Sequence, residues 1–468
     1  MDNKKIYNNI QNKVLTTIKM RKDQYSQIHN IIREVVDKLI TQFQPYLEDP
    51  VHDIFIGGSF PRRTLLSDEY DIDIFVRFPS RINIKKLEEI VFEASYKIFG
   101  KKSVKRRFAE HPYAETYYKN IKFNIVPAYK TEPPNWISPV DRTYYHSKYL
   151  DEKMKEDLID DILMLKSFLK GIDCYGAEIS VKGFSGYLTE LLILYYDSFW
   201  NLIEKASKWR PPVIIDIEGH YRRKREILNM FPESKLIVID PVDRGRNVAA
   251  NVSNRNLARF ISACKALRQR PKEMFFYPFS EEYKERYYNQ LDINDIINKP
   301  ILCILIRHGE KIEDIYHGQL ERLSRKISRQ IEMVKVKVLK RGVYSDYNKT
   351  SIILLFLNSL KIDGFYSRLG PPTHILNEKE FLEKNKDKMT LWIEEDGRWH
   401  VIEKRKILDI KEYVKNILDR NIVKIPSEIS KDRIEIKYIS EINREIIDEK
   451  WRWLSSFIKG DDFWKAFY

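Results

Sequence analysis

Two aspartates one residue apart constrain this chain more than any other feature. They stand in the run Asp71-Ile72-Asp73-Ile74-Phe75, which predicts a strand from Asp71 to Phe78. Side chains at i and i+2 of a strand share a face, so the two carboxylates project together. Their repulsion calls for a neutralising cation, and a hard divalent ion such as magnesium suits both carboxylate and phosphate oxygens. A second signal lies twelve residues before Asp71. There the short apolar run Ile54-Phe55-Ile56 reads as a strand and closes in Gly57-Gly58-Ser59. Glycines such as Gly58 let a backbone approach a phosphate closely. Ser59 offers a hydroxyl and is placed to cap a helix after the turn, whose first amides would favour an anion. Arg62 adds a cation. A phosphate cradle beside a metal-binding carboxylate pair is a device for nucleotidyl transfer. A solvated aspartate pair or a tight turn is common by itself; the two in this order and spacing are specific.

The rest of the chain divides by period. Apolar residues from Ile28 to Leu47 recur at three- and four-residue steps and predict a helix, with Pro50 beyond its end. Residues 84–98 read as a helix, and segments near 103–108, 113–118 and 121–127 as strands. Residues 1–150 are therefore a mixed α/β domain. From 151 to 270 the pattern is helical: one helix marked by Met154, Leu158, Ile162, Leu165 and Leu169, another from Tyr187 to Ala206, a third over 255–268. From 271 to 468 strands and helices alternate again. That region includes a basic helix over 313–333 and a strand-like alternation in Val334-Lys335-Val336-Lys337-Val338.

Composition narrows the function classes. A chain of 468 residues suits roughly two to four domains. Its 82 basic against 68 acidic residues give a net +14, which points to a polyanionic partner, most commonly nucleic acid. Cys174, Cys264 and Cys303 fit no zinc spacing and suit a reducing compartment. No run reaches the roughly 20 apolar residues that span a bilayer, and no apolar signal region follows the N-terminus. The expectation is a cytoplasmic protein with no membrane partner.

Further motifs narrow the reading. They are His111-Pro112-Tyr113, Ile125-Val126-Pro127-Ala128-Tyr129, Val140-Asp141-Arg142-Thr143 with His146, then Lys166 and Tyr175-Gly176. Gly183-Phe184-Ser185-Gly186-Tyr187 with Glu190-Leu191-Leu192 and Asp240-Pro241-Val242-Asp243-Arg244 with Asn247-Val248-Ala249-Ala250 follow. Gly370-Pro371-Pro372 and Glu395-Asp396-Gly397-Arg398-Trp399 come last. In this order they resemble the archaeal-type (class I) CCA-adding enzymes, tRNA nucleotidyltransferases of the polymerase-beta-like superfamily. The resemblance covers nearly the whole chain. It implies an α+β multidomain protein: a polymerase-beta-like nucleotidyltransferase domain, a helical central nucleotide-binding domain and a mixed α/β C-terminal RNA-binding region. It implies template-independent addition of CCA to tRNA 3′ ends from CTP and ATP, with a two-ion magnesium site. Carried over by position, Asp71 and Asp73 are metal ligands, and Gly58, Ser59 and Arg62 face the incoming nucleotide. His146, Lys166 and Tyr175 match positions that hold its triphosphate, and Arg244 one that reads the base edge. The tRNA acceptor arm is the expected partner, and a homodimer is left open.

One position departs from the family. The third carboxylate, on the strand before the Val-Pro pair, is Asn124 here, in Lys122-Phe123-Asn124-Ile125. That carboxylate ligates metal and helps remove the proton of the attacking hydroxyl. An amide offers one neutral oxygen and cannot take that proton. Three accounts stay open: an introduced Asp→Asn change, natural drift with residual activity, or a degenerate RNA binder. Glu115 and Asp141 are acidic neighbours in sequence but do not occupy that strand position. In the C-terminal region Arg322, Arg325, Lys326 and Arg329 form one basic helix face suited to an RNA backbone, with Arg398 as a further RNA contact. The same face also reads as a solvated surface with pairs such as Glu321–Arg325. Trp392, Trp399, Trp451 and Trp453 read as core rather than as base-stacking platforms.

Overall fold

The computed structural model describes residues 3–108, 112–388, 390–430 and 433–467. The chain divides into two compact units. One runs to Tyr288 and takes back the tail from Gly460; the other is Asn289–Lys459.

The first unit is built around a five-stranded sheet. Its strands are β1 (Ile54–Ile56), β2 (Asp71–Phe78), β3 (Val104–Phe108), β4 (Pro112–Tyr118) and β5 (Ile121–Tyr129), in the order β1-β2-β5-β4-β3. Strands β2 and β5 are parallel, and the other pairs antiparallel. Ile72, Ile74, Val76 and Phe78 are fully buried on one face, in a core shared with helices Lys22–Phe43 and Ile84–Phe99. The alternation leaves Asp71 and Asp73 on the other face. Helix Lys22–Phe43 buries Ile28, Ile32, Val35, Leu39 and Phe43, the stripe seen in the sequence. Strands β4 and β5 are joined through Lys119 and Asn120, both at positive φ (49° and 63°). That two-residue turn matches the strand twist and pins the register.

A second core in this unit is helical. Helices Ile159–Gly171, Gly186–Tyr196, Phe199–Ala206 and Asn254–Gln269 bury their apolar faces together with helix Asn3–Ile18. The helix expected from Met154 starts only at Ile159, because Met154 leaves the preceding helix in an extended conformation. The helix expected over 187–206 is two helices. Asp197 takes a left-handed φ of 61°, and Ser198 caps the second by accepting from the Asn201 amide. The central region is also not purely helical. It carries a small sheet of β6 (Val213–Ile215), β7 (Leu236–Asp240) and β8 (Asp243–Asn247), strands too short to leave a clear period.

The C-terminal region expected from 271 begins later. Phe275 and Phe276 are wholly buried against Phe168, with ring centroids 6.3 and 5.8 Å away, and this holds residues 271–288 to the helical core. A Cβ at Gly171 would lie 2.1 Å from the Phe275 carbonyl oxygen, so only glycine permits that approach. The tail returns to the same core through Phe463 and Trp464.

The second unit contains β9 (Ile301–Arg307), β10 (Val338–Ser345), β11 (Thr350–Leu357), β12 (Phe365–Pro372), β13 (Leu391–Ile393), β14 (Arg398–Lys404) and β15 (Ile434–Tyr438). They form two sheets, β10-β11-β9-β15 and β12-β14-β13. Helix Glu313–Met333 buries Tyr316, Leu320, Leu323, Ile327 and Ile331 and leaves Arg322, Arg325, Lys326 and Arg329 exposed. The strand expected over 334–338 begins only at Val338. Lys335 takes φ 67° just after the helix, although Val334 and Val336 are buried as the alternation implied. The four tryptophans are half-buried; Trp451 and Trp453 pack against the core of this unit. Among the described residues no helix is long and apolar enough to cross a membrane.

Candidate active site

Strand register places the carboxylates. Asp73 stands beside Asn124 and Asp71 beside Lys122 across β2 and β5, and Glu115 on β4 stands beside Asn124. The Asn124 amide nitrogen donates to Asp71 Oδ1 at 2.9 Å and to Asp73 Oδ1 at 2.8 Å. Lys122 Nζ donates to Asp71 Oδ2 at 3.0 Å and lies 3.4 Å from Glu115 Oε2. The other oxygen of Glu115 accepts from Arg107 Nε at 3.0 Å. Burial pushes the Asp73 carboxyl above its ordinary pKa, the Asn124 hydrogen bond opposes this, and the charge of Asp71 adds to it. Burial works against the charge of Lys122, yet Asp71 and Glu115 hold its pKa above the usual lysine value.

The loop after β1 meets this pair. The Gly57 amide donates to the Asp73 carbonyl at 2.9 Å. Gly58 has φ +71°, and a Cβ there would stand 3.1 Å from Asp73 Oδ2, so glycine serves both the backbone and the space. The helix expected after Ser59 is absent. Pro61 has no amide proton and Arg63 turns to φ 56°. The segment closes instead as a turn, with the Thr64 amide on the Ser59 carbonyl at 3.0 Å.

These residues fit a hard cation. Two carboxylate oxygens already converge on one donor, the Asn124 amide nitrogen, where a cation can replace it. The Asn124 Oδ1 is buried and accepts no hydrogen bond among the described residues. Turning the amide over would direct that oxygen to an ion and remove the conflict between nitrogen and cation. Among the described residues no group of three or more Asp, Glu, His or Cys side chains converges for a metal. The fit is thus a carboxylate pair with one amide oxygen.

A cavity of about 340 Å³ opens beside the pair. Gly58, Ser59, Arg62 and Asp73 line it from the sheet side, His146, Lys166, Tyr187 and Glu190 from the helices, and Tyr175 from the segment after helix Ile159–Gly171. Arg62 is clamped by Glu190, Nη2 to Oε2 at 3.1 Å and Nε to Oε1 at 3.4 Å. Thr64 Oγ1 donates to the same carboxylate at 2.8 Å, and Lys166 Nζ donates to the Thr64 carbonyl at 2.7 Å. Lys166 is fully buried; burial lowers its pKa and the charge of Glu190 raises it in part. Further along, His146 Nε2 shares a 2.8 Å hydrogen bond with Asp240, and its ring stacks on Tyr187 at 4.1 Å. Burial lowers the His146 pKa and Asp240 pulls it back up. Burial raises the Asp240 carboxyl, but His146 and Arg246 outweigh that and hold it below the carboxylate norm. Arg246 Nη1 lies 2.8 Å from Asp240 Oδ2.

Three families match the chain in succession: "Nucleotidyltransferase domain" over residues 32–146, "tRNA nucleotidyltransferase, second domain" over 160–277, and "CCA-adding enzyme, C-terminal domain" over 299–438. The CCA-adding enzyme of Sulfurisphaera tokodaii is 33% identical over 457 residues, covering 97% of this chain and 99% of that one. The chain belongs to the CCA-adding enzymes. The CCA-adding enzyme of Saccharolobus solfataricus is 34% identical over 88% of this chain and 92% of its own length. That of Sulfolobus acidocaldarius is 31% identical over 93% and 95%. Nucleotidyltransferases of this kind use divalent metal ions.

For a CCA-adding enzyme, the sequence candidates gather well but not completely. Gly58, Ser59, Arg62, Asp73, His146, Lys166 and Tyr175 meet at one cavity. The Lys166 ammonium, expected on a triphosphate, is committed here to Thr64, so it braces the loop that carries Arg62. Arg244 is exposed on β8 and does not line the cavity; its carbonyl accepts from the Tyr221 hydroxyl at 2.7 Å. His111 lies outside the described residues. Arg398 is half-buried and donates to the Gly370 carbonyl at 3.1 Å, a structural contact between strands. Arg322, Arg325, Lys326 and Arg329 make no ion pair among the described residues. Glu321, read as a partner for Arg325, instead lies 3.4 Å from Arg341. Glu190 and Asp240 were not picked out as site residues. Each had a signal: a carboxylate inside the apolar helix Gly186–Tyr196, and another closing the apolar run Leu236–Ile239.

Proposed function

We propose that this chain adds C, C and A in turn to the 3′ end of tRNA from CTP and ATP, without a nucleic-acid template, releasing pyrophosphate. One observation carries the reading. A single cavity brings Asp73, whose carboxylate converges with that of Asp71 on the Asn124 amide, to a cradle of Gly58, Ser59 and Arg62.

Asp71, Asp73 and the turned amide of Asn124 would hold magnesium, which would supply positive charge for the nucleotidyl transfer. Ser59 and Arg62 meet the triphosphate, with Arg62 aimed by Glu190 and the loop braced by Lys166. His146, kept neutral by burial near pH 7, presents a ring oriented by Asp240 and Tyr187. Tyr175 closes the helical wall. Asn124 cannot take the hydroxyl proton, so the position lacks the base its family places there. The exposed cations at 322, 325, 326 and 329 suit the phosphates of the acceptor arm.

The test is to offer all four nucleoside triphosphates to tRNA lacking its CCA and to sequence the product ends. Ends in C-C-A that grow no further support the reading. A homopolymer of A or U assigns the chain to a poly(A) or uridylyl transferase activity instead. A second reading, an RNA binder of impaired chemistry, is favoured by Asn124; tight tRNA binding with no addition by either the natural chain or Asn124→Asp would support it.

A further inference from the structure

Lys122 is a cation built into a site that otherwise recruits cations from solution. It comes from the same strand as Asn124, two residues earlier, and the turn at Lys119 and Asn120 fixes it beside Asp71. Its Nζ bridges Asp71 Oδ2 at 3.0 Å and Glu115 Oε2 at 3.4 Å. Glu115 is buried and held from its other oxygen by Arg107, so the seat of the ammonium is rigid.

Charge counting sets the consequence. Asp71 and Asp73 bring two negative charges, Lys122 one positive and Asn124 none, leaving a net −1, while Glu115 is offset by Arg107. A fixed positive charge on one ligand repels any dication seated on that ligand. Two divalent ions on this group would be strongly under-compensated; one ion, arriving with the charge of a triphosphate, would not. An ammonium also has three N–H donors. One is given to Asp71 Oδ2, Glu115 is an ion-pair partner at 3.4 Å, and Lys122 makes no further hydrogen bond among the described residues.

Resting on the nucleotidyl-transfer reading above, we propose that Lys122 takes the part of a second metal ion. The chain works with one divalent ion, bound together with the nucleotide, and the remaining Lys122 donor holds the 3′-oxygen of the RNA. The residue is thus an electrostatic and positioning group for the attacking end, and its charge beside Asp71 compensates for the carboxylate that Asn124 lacks.

The experiment counts Mn²⁺ ions by electron paramagnetic resonance on the full chain. It is run alone, with a non-hydrolysable CTP analogue, and with that analogue plus tRNA ending in a 3′-deoxynucleotide. The expected count is one ion per chain in both nucleotide complexes and no tight ion without nucleotide. Lys122→Gln with Asn124→Asp is expected to bind two. Lys122→Gln alone should slow CTP addition about 10²-fold, as loss of a transition-state donor does, while binding the CTP analogue within twofold. That binding shows the variant is folded. Two tight ions on the natural chain, or an unchanged rate for Lys122→Gln, would overturn the proposal. If the natural chain counts one ion but adds no nucleotide, the nucleotidyl-transfer reading fails, and with it the catalytic part of this one.

Discussion

The site has two walls, one set by strand register, of which Asp73 but not Asp71 lines the cavity, and one set by side-chain pairing, and they are held by different physics. Asp71, Asp73 and Asn124 are set by backbone register: adjacent strands and a two-residue turn leave them little freedom. Arg62, Lys166 and His146 are set by side chains from distant segments. Glu190 grips Arg62 across 128 residues, and Asp240 grips His146 across 94. The first wall keeps unrelieved charge, with Asp73 raised by burial and the Asn124 oxygen without a partner. The second wall neutralises its own cations before any ligand arrives. A wall set by register can hold like charges together and wait for an ion. A wall built from side chains must be internally paired to stay in place.

Substitutions on the two walls should therefore fail differently. The largest effect is expected from Asp73→Asn. It removes a proposed metal ligand and should slow CTP addition by about 10³-fold or more, roughly 4 kcal/mol in the barrier. The ion-free protein should become more stable, because a carboxylate disfavoured by burial is gone; single-turnover rates and denaturant melts read the two arms. A stability loss would show that the charge is already relieved. Glu190→Gln should do the reverse. It removes the nearest counter-ion of Arg62, leaving Asp151 at 3.7 Å, and the larger of the two charges that support Lys166, and about 3 kcal/mol of unfolding free energy should go. A denaturation midpoint equal to that of the natural chain would contradict the account of this wall.

Next in size is a change away from both walls. Replacing Arg322, Arg325 and Arg329 by Ala should weaken tRNA binding and reduce the slope of log affinity against log salt by about 2 to 3. CTP affinity should stay the same. An unaltered slope would assign that face to solvent. Asn124→Asp follows. A positioned base is worth about 10²–10⁴ in rate, but Lys122 already supplies part of the charge, so about tenfold is expected. Equal rates would mean the missing carboxylate costs nothing. The smallest effect concerns His146. Its folded pKa lies below the ordinary value near 6.5, so below that pH the unfolded chain binds more protons. Stability from this group is complete above about pH 6.5 and declines as pH falls. His146→Gln should flatten that decline in melts between pH 7.5 and 5.5.

The first wall was legible in the sequence for the reason that it is rigid. A strand has a period of two, so Asp71-Ile72-Asp73 states its own geometry, and Gly58 declares a backbone need that no other residue meets easily. The second wall was legible only as residue types. Nothing local says that Glu190 faces Arg62, or that Lys166 bends to Thr64 rather than into the cavity. Those pairs depend on helix packing between segments over a hundred residues apart. The fold followed the same rule. Long periodic elements such as Lys22–Phe43 and Glu313–Met333 were plain. The strands of β6, β7 and β8, the break at Asp197 and the return of Phe463 and Trp464 to the helical core were not, because each rests on a few residues or on a distant contact. Arg244, carried over by position, lies on β8 outside the cavity, and Arg398 is tied into its own sheet; neither placement is stated by the local sequence.

The most direct test is single-turnover addition of labelled CTP and ATP to tRNA lacking its CCA, with magnesium, by the natural chain and by Asn124→Asp in parallel, with tRNA binding measured alongside. The chain with Asn124 is expected to build C-C-A and stop, and Asn124→Asp to do so faster. Firm tRNA binding with no nucleotide added by either form would contradict it.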